Sequence, residues 1–256
     1  MSKLIEELNR VRKGAPRPLG FGTGSAASEG KKMLLVVSLG EERLEALADS
    51  AREADAAIVT VSGDAEKALA RVKDGLGEAI WGVQPGGKAR AELSVLAKAG
   101  ADFVVFSPEM PLVSDSEEVG KVLEVDPSLS DGMLRAISGL PVDVVLVGIE
   151  REGNLTWHDL MVVQRLTGLL AKPVMVSLPA EVSAGELQAL GEAGVKGVVV
   201  PLKAGQSEDR IKELRQTIGG LVFHPKEKRE ERVLPLLPLV SGERNTVTED
   251  EEEEEE

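Results

Sequence analysis

A closed (β/α)₈ barrel is the fold class this sequence predicts, and three observations predict it. Eight apolar runs of strand length recur from residue 33 to residue 202. Most are followed by a segment with helical periodicity. The runs are continuously apolar rather than alternating, which means burial on both faces, as in a parallel sheet wrapped by helices. An open doubly wound sheet is the alternative with the same element order.

The elements follow in order. Residues 2–12 place Leu4, Ile5, Leu8 and Val11 at helical spacing with charges on the other faces, which predicts a short amphipathic helix. The Gly-, Pro- and Ser-rich stretch 14–32 reads as a loop. Strands are expected at 33–38, 56–62, 79–84, 102–107, 121–126, 142–149, 173–178 and 197–202, with helices at 41–54, 88–99, 156–171, 183–193 and 206–218. After the fourth strand, 113–120 leaves room for at most a short helix. Ser183 with Glu186, and Thr156 with Asp159, have capping-box spacing. The phrases "READAAIVTVSG", "LAKAGADFVVF" and "GEAGVKGVVVPL" return before strands two, four and eight, with Ala54, Ala99 and Ala193 at the helix ends. They suggest four βαβα quarters. The expected organisation is a helix and loop (1–32), a barrel (33–220), an extension lying on the barrel (221–240) and a disordered acidic tail (241–256).

Composition narrows the function. The chain has 256 residues, no Cys, no Tyr, four Phe and two Trp. Disulfides, thiolate catalysis and Cys-ligated metals are excluded, and stacking platforms for bases are scarce. The formal charge is −14, of which residues 249–256 carry eight, so nucleic acid and anionic membranes are not expected partners. The N-terminus does not read as a signal peptide and no apolar run approaches 18 residues, so a cytoplasmic protein is expected.

In a barrel, chemistry sits at the carboxyl ends of the strands. Along "VLEVD", Leu123 and Val125 share one face while Glu124 and Asp126 share the other. The face under the helices must be apolar, so both carboxylates are expected in the barrel mouth. The same parity turns Thr60 and Ser62 inward, and Ser38, Gln84, Ser107 and Ser177 end their strands. Glu150 follows strand six and Lys203 follows strand eight. Glu124, Asp126 and Glu150 form a candidate Mg²⁺ site, since hard cations prefer oxygen ligands. Alternatively, Glu124 or Asp126 is a general base and Lys203 stabilises developing negative charge. A plain Glu124–Lys203 ion pair filling the lumen is the structural alternative.

His158 opens the helix after strand six and has a suitable intrinsic pKa for a base, but reads more simply as a first-turn surface residue with Trp157 packed on the loop. "QPGGKA" (84–89) could present backbone N–H groups to an anion, although an ordinary turn explains it as well. "GFGTGS" (20–25) lacks the strand-then-helix setting of a dinucleotide motif.

The segments "LAKAGADFVVF" and "PVMVSLPAEVSAGELQALGEAGVKGVVV" resemble the later units of phosphate-binding barrels such as the flavin-dependent nitronate monooxygenase-like proteins. The resemblance implies a barrel, and FMN held by Gly-rich turns after strands seven and eight. Here those turns read Ser177-Leu178-Pro179-Ala180 and Pro201-Leu202-Lys203-Ala204-Gly205, and only Gly205 matches. The leading expectation is therefore a lyase- or aldolase-like enzyme acting on a small polar metabolite. A non-catalytic scaffold assembling into homo-oligomers through its terminal segments, and a flavin-binding oxidoreductase, are the alternatives.

Overall fold

The structure is a computed structural model, and it describes residues 2–13, 31–62, 65–86, 93–111, 118–149, 153–202 and 208–223. Eight parallel strands close on themselves in sequence order, so the molecule is a TIM-type barrel and not an open sheet. The strands are β1 (Leu34–Gly40), β2 (Ala56–Val61), β3 (Trp81–Pro85), β4 (Phe103–Phe106), β5 (Gly120–Val125), β6 (Val144–Gly148), β7 (Val174–Ser177) and β8 (Gly197–Pro201). Closure is made by β1 against β8, with Leu34 opposite Gly197 and Ser38 opposite Pro201.

A helix α1 (Lys3–Lys13) precedes the barrel. Around it run α2 (Leu44–Arg52), α3 (Ala65–Leu76), α4 (Leu93–Ala99), α5 (Asp131–Ser138), α6 (Trp157–Leu169), α7 (Ala184–Glu192) and α8 (Glu208–Gly220). Between β4 and β5 no helix occurs among the described residues, and most of the 113–120 segment lies outside them. Both predicted capping boxes form: Thr156 and Ser183 accept from the N3 backbone, and Asp159 and Glu186 return the bond. The helix expected at 41–54 is shorter than its periodicity, and of the one expected at 88–99 only Leu93–Ala99 lies among the described residues. The first begins as a 3₁₀ turn at Glu41–Arg43, and residues 87–92 lie outside the described set.

The alternation of side chains across each strand divides the apolar residues into two cores. Outward-facing residues such as Leu35, Val59, Val104, Leu123, Val145 and Val176 pack under the helices. Inward-facing residues, among them Val36, Ile58, Phe103, Val122, Leu146 and Met175, fill the lumen. Gly82 is required by that filling: a Cβ there would meet the Phe103 ring at 2.4 Å. Gly100 and Gly194 carry φ of +93° and +103° just after α4 and α7, which is why the phrase before β4 and β8 ends its helix in Ala-Gly.

The N-terminal helix is part of the inner core. Leu4, Leu8 and Val11 join the lumen residues, and they close the amino-terminal end of the barrel. Asp102, immediately before β4, accepts from Ser2 Oγ (2.7 Å), the Lys3 N–H (2.7 Å) and the Leu4 N–H (2.9 Å), so it caps that helix from across the chain. The corresponding residues before β2 and β6 do a different task. Asp55 accepts from the Leu35 N–H and Asp143 from the Lys121 N–H, each clasping the preceding strand. Lys31 then bridges Glu7 of α1 and Asp55. Burial pushes the Lys31 amine down, but its bonds to Asp55 and the charges of Asp55 and Glu7 outweigh this and hold its pKa above the ordinary value.

The apolar segment 233–240, the acidic tail and His224 lie outside the described residues.

Candidate functional site

At the carboxyl end the strand alternation that fills the lumen with Val and Ile ends in polar residues. The inward positions continue to Ser38, Thr60, Gln84, Ser107, Glu124 and Ser177, as parity predicts. Among them Gln84 and Glu124 meet: Gln84 Nε2 donates to Glu124 Oε2 at 2.9 Å, joining β3 to β5 across β4. Glu124 is half-buried, and its Oε1 has no hydrogen-bond partner among the described residues.

Above this pair lies a cavity of about 830 Å³ over the ends of β4, β5 and β6 and the start of α6. Its walls include Ser107, Glu109, Glu124, Asp126, His158 and Asp159. The volume falls within the range of small-molecule sites.

Asp126 stands at the cavity edge and is exposed. Its Oδ1 accepts from the Ser128 N–H at 2.7 Å, shaping the turn after β5. Hydrogen bonds from Ser128, side chain first and backbone second, hold the Asp126 carboxyl below its ordinary value, so it is an anion at neutral pH. It is thus a turn-forming carboxylate that also faces the cavity, whereas Glu124 is anchored from inside the barrel. Glu150 and Lys203 lie outside the described residues. Among the described residues no group of three or more His, Cys, Asp or Glu is placed to hold a metal ion.

His158 is exposed and lines the cavity from the first turn of α6. That turn is held firmly. Thr156 and Asp159 cap it, and Arg165 of the same helix reaches back to Asp131 (2.7 Å) and to the carbonyls of Pro127 and Leu129. The arginine therefore ties the turn carrying Asp126 to the helix carrying His158. Trp157 is not packed on the loop as expected: it is 83% exposed. Periodicity alone did not single out Glu109. The available signal was its position three residues beyond the end of β4, where barrel enzymes keep their working groups.

The turns that would hold a flavin phosphate are differently employed. The Leu178 N–H donates to the Val199 carbonyl and the Leu202 N–H to the Ser38 carbonyl, while Pro179 has no N–H. Gly205 is outside the described residues.

No family model matches the chain, and no curated protein matches its sequence. The likeness is to solved structures. A thiamine phosphate pyrophosphorylase from Pyrococcus furiosus is 16% identical with a TM-score of 0.51, over 73% of this chain and 96% of that one. A mutant tryptophan synthase α-subunit from the same organism is 14% identical with a TM-score of 0.56, over 72% and 96%. A ligand-free tryptophan synthase from M. tuberculosis is 14% identical with a TM-score of 0.57, over 86% and 98%. The shared property is the barrel. No helix among the described residues is long and apolar enough to cross a membrane.

Proposed function

We propose that the chain is a barrel enzyme acting on a small polar metabolite by lyase- or aldolase-like chemistry, with Glu124 as the general base. One observation carries the reading: Glu124 has one oxygen fixed by Gln84 and the other without a partner among the described residues, beside the cavity. A base needs that combination, since a fixed carboxylate loses little orientation entropy when it takes a proton. In an aldol cleavage, Glu124 would take the hydroxyl proton as the adjacent C–C bond breaks. The electron pair would pass to the carbonyl oxygen of the departing fragment, which leaves as an enolate. Lys203 would be the partner for that developing charge, and His158, which lines the cavity, would return a proton to the enolate carbon.

The base reading is preferred to the Mg²⁺ site of Glu124, Asp126 and Glu150. Asp126 already serves its turn, and two carboxylates make an incomplete shell for a hard cation. The flavin reading is weaker again, because the Leu178 and Leu202 N–H groups, which follow β7 and β8, are engaged in the sheet and Pro179 has no N–H to offer.

The test is a thermal-shift panel of hydroxy acids, keto acids and sugar phosphates against wild type and Glu124→Gln, followed by NMR of any hit in D₂O. The expected result is a hit with cleavage or C–H exchange that Glu124→Gln slows by about 10²–10⁴-fold. A hit turned over equally by Glu124→Gln, or no hit across the panel, would sink the reading.

A further inference from the structure

The inward-facing side chains of such a barrel stack in layers supplied by alternate strands, each layer climbing roughly one residue per strand against the hydrogen-bonded register. Followed around this barrel, the register puts Ile58, Val105, Leu146 and Val199 of the even-numbered strands in one layer. All of them are at most 3% exposed. The next layer toward the mouth is Ser38, Gln84, Glu124 and Ser177 of the odd-numbered strands, all half-buried. The bond from Gln84 to Glu124 across β4 is an independent sign that these residues share a level. Barrels of this class ordinarily fill such a layer with bulky branched residues. Here it is polar throughout, and the two serines fill less space than branched residues would. It is the floor of the mouth, and Glu124 belongs both to this floor and to the cavity wall.

The floor has hydrogen-bonding capacity to spare. Among the described residues the Ser38 and Ser177 hydroxyls, Gln84 Oε1 and Glu124 Oε1 have no hydrogen-bond partner. Donors and acceptors therefore stand side by side. A phosphate offers acceptors only and would set a second negative charge beside Glu124. An ammonium group offers donors only and would meet the remaining Gln84 N–H. An apolar group would leave every one of these atoms unpaired. A hydroxyl both donates and accepts, so a run of hydroxyls satisfies the floor. The ends of β7 and β8 agree, since the Leu178 and Leu202 N–H groups bond to the Val199 and Ser38 carbonyls and are not free to hold a phosphate.

We infer that the mouth takes an unphosphorylated, polyhydroxylated carbonyl compound, a sugar or sugar acid, whose hydroxyl-bearing end rests on Ser38, Gln84 and Ser177. The carbonyl in that description rests on the aldol reading above, whereas the hydroxyls rest on the floor alone. The hydroxyl beside Glu124 is the one that loses its proton, and the remainder of the molecule extends into the cavity over β4 to β6. Ser38 and Ser177 are then specificity-determining, although β1 and β7 contribute no described residue to the cavity wall.

Ligand-observed NMR of the full chain with short-chain ketoses and sugar acids, each beside its phosphate ester, tests this. The expected result is binding by unphosphorylated members, with the phosphate ester of each at least about tenfold weaker. Ser38→Ala and Ser177→Ala should each weaken that binding about three- to tenfold, and circular dichroism melts report whether each variant is folded. Comparing esters with parents needs only the wild-type chain, so it decides the matter whatever the variants do. Esters that bind as tightly as their parents, no binding anywhere in the panel, or binding indifferent to both serine substitutions overturns the inference. Its fate is separable from that of the catalytic base. A sugar phosphate cleaved by wild type and slowed by Glu124→Gln overturns the inference and leaves the base standing. Serine-dependent sugar binding without cleavage supports the inference and removes the base.

Discussion

At its amino-terminal end the barrel is shut by Leu4, Leu8 and Val11 of α1, whereas at its carboxyl end the same strands finish in Ser, Thr, Gln and Glu beneath an open cavity. The polar groups at the two ends are also used differently. Asp102 at the closed end spends its carboxylate on three donors of the same chain. Glu124 at the open end accepts from Gln84 alone among the described residues. Satisfied polar groups around a filled core make a stable base. An incompletely satisfied carboxylate beside a cavity costs stability and remains available to a ligand. The comparison teaches where this molecule keeps its folding energy and where it keeps its chemical capacity.

Substitutions at the closed end should hurt most. Leu8 is fully buried, so Leu8→Ala is expected to destabilise by about 2–5 kcal/mol in urea unfolding. A loss below about 1 kcal/mol would mean that α1 is not a structural floor. Asp102→Ala removes the acceptor of three hydrogen bonds, and its expected cost is about 2 kcal/mol. If Asp143→Ala, which removes a single strand clasp, proved more harmful, the special role given to Asp102 would be wrong.

Near the carboxyl end, the Ser183–Glu186 box should contribute less, about 1 kcal/mol for Ser183→Ala. Burial raises the Glu186 pKa, but bonds from Ser183 and from the Leu155 N–H outweigh it and hold the carboxyl below its ordinary value. A carboxyl with a depressed folded pKa stabilises fully above its unfolded value of about 4.3 and loses that contribution as pH falls through the folded value. Unfolding curves of wild type and Glu186→Gln should therefore converge in acid; parallel curves would contradict the assignment. The smallest effect belongs to Glu124→Gln, which keeps the Gln84 contact in reach and should move stability by no more than about 0.5 kcal/mol. A large loss there would make Glu124 a structural residue and erase the contrast between the ends.

Much of this arrangement was legible along the chain. Continuous apolar runs located all eight strands to within a few residues, and capping-box spacing located the starts of α6 and α7. Two-residue alternation placed Glu124 on the inner face, because a carboxylate under the helices would have had no partner. The same rule was less informative for Asp126, which lies just past the end of β5, where a turn rather than the pleat directs the side chain. Periodicity marked residues 2–12 as amphipathic but held no information about the surface their apolar stripe would meet. Trp157 was misread for a related reason, since a residue at a helix start can face a loop or solvent with the same local sequence.

What the chain determined alone was local: which segments are strands, which are helices, where they begin, and which side chains share a face. These follow from backbone geometry and from burial patterns that repeat every two or 3.6 residues. Only the tertiary structure decided that the sheet closes, that α1 enters its amino-terminal end, and that Gln84 reaches Glu124 across β4. Those outcomes depend on the summed twist and stagger of eight strands and on contacts between residues tens of positions apart, which no local period encodes.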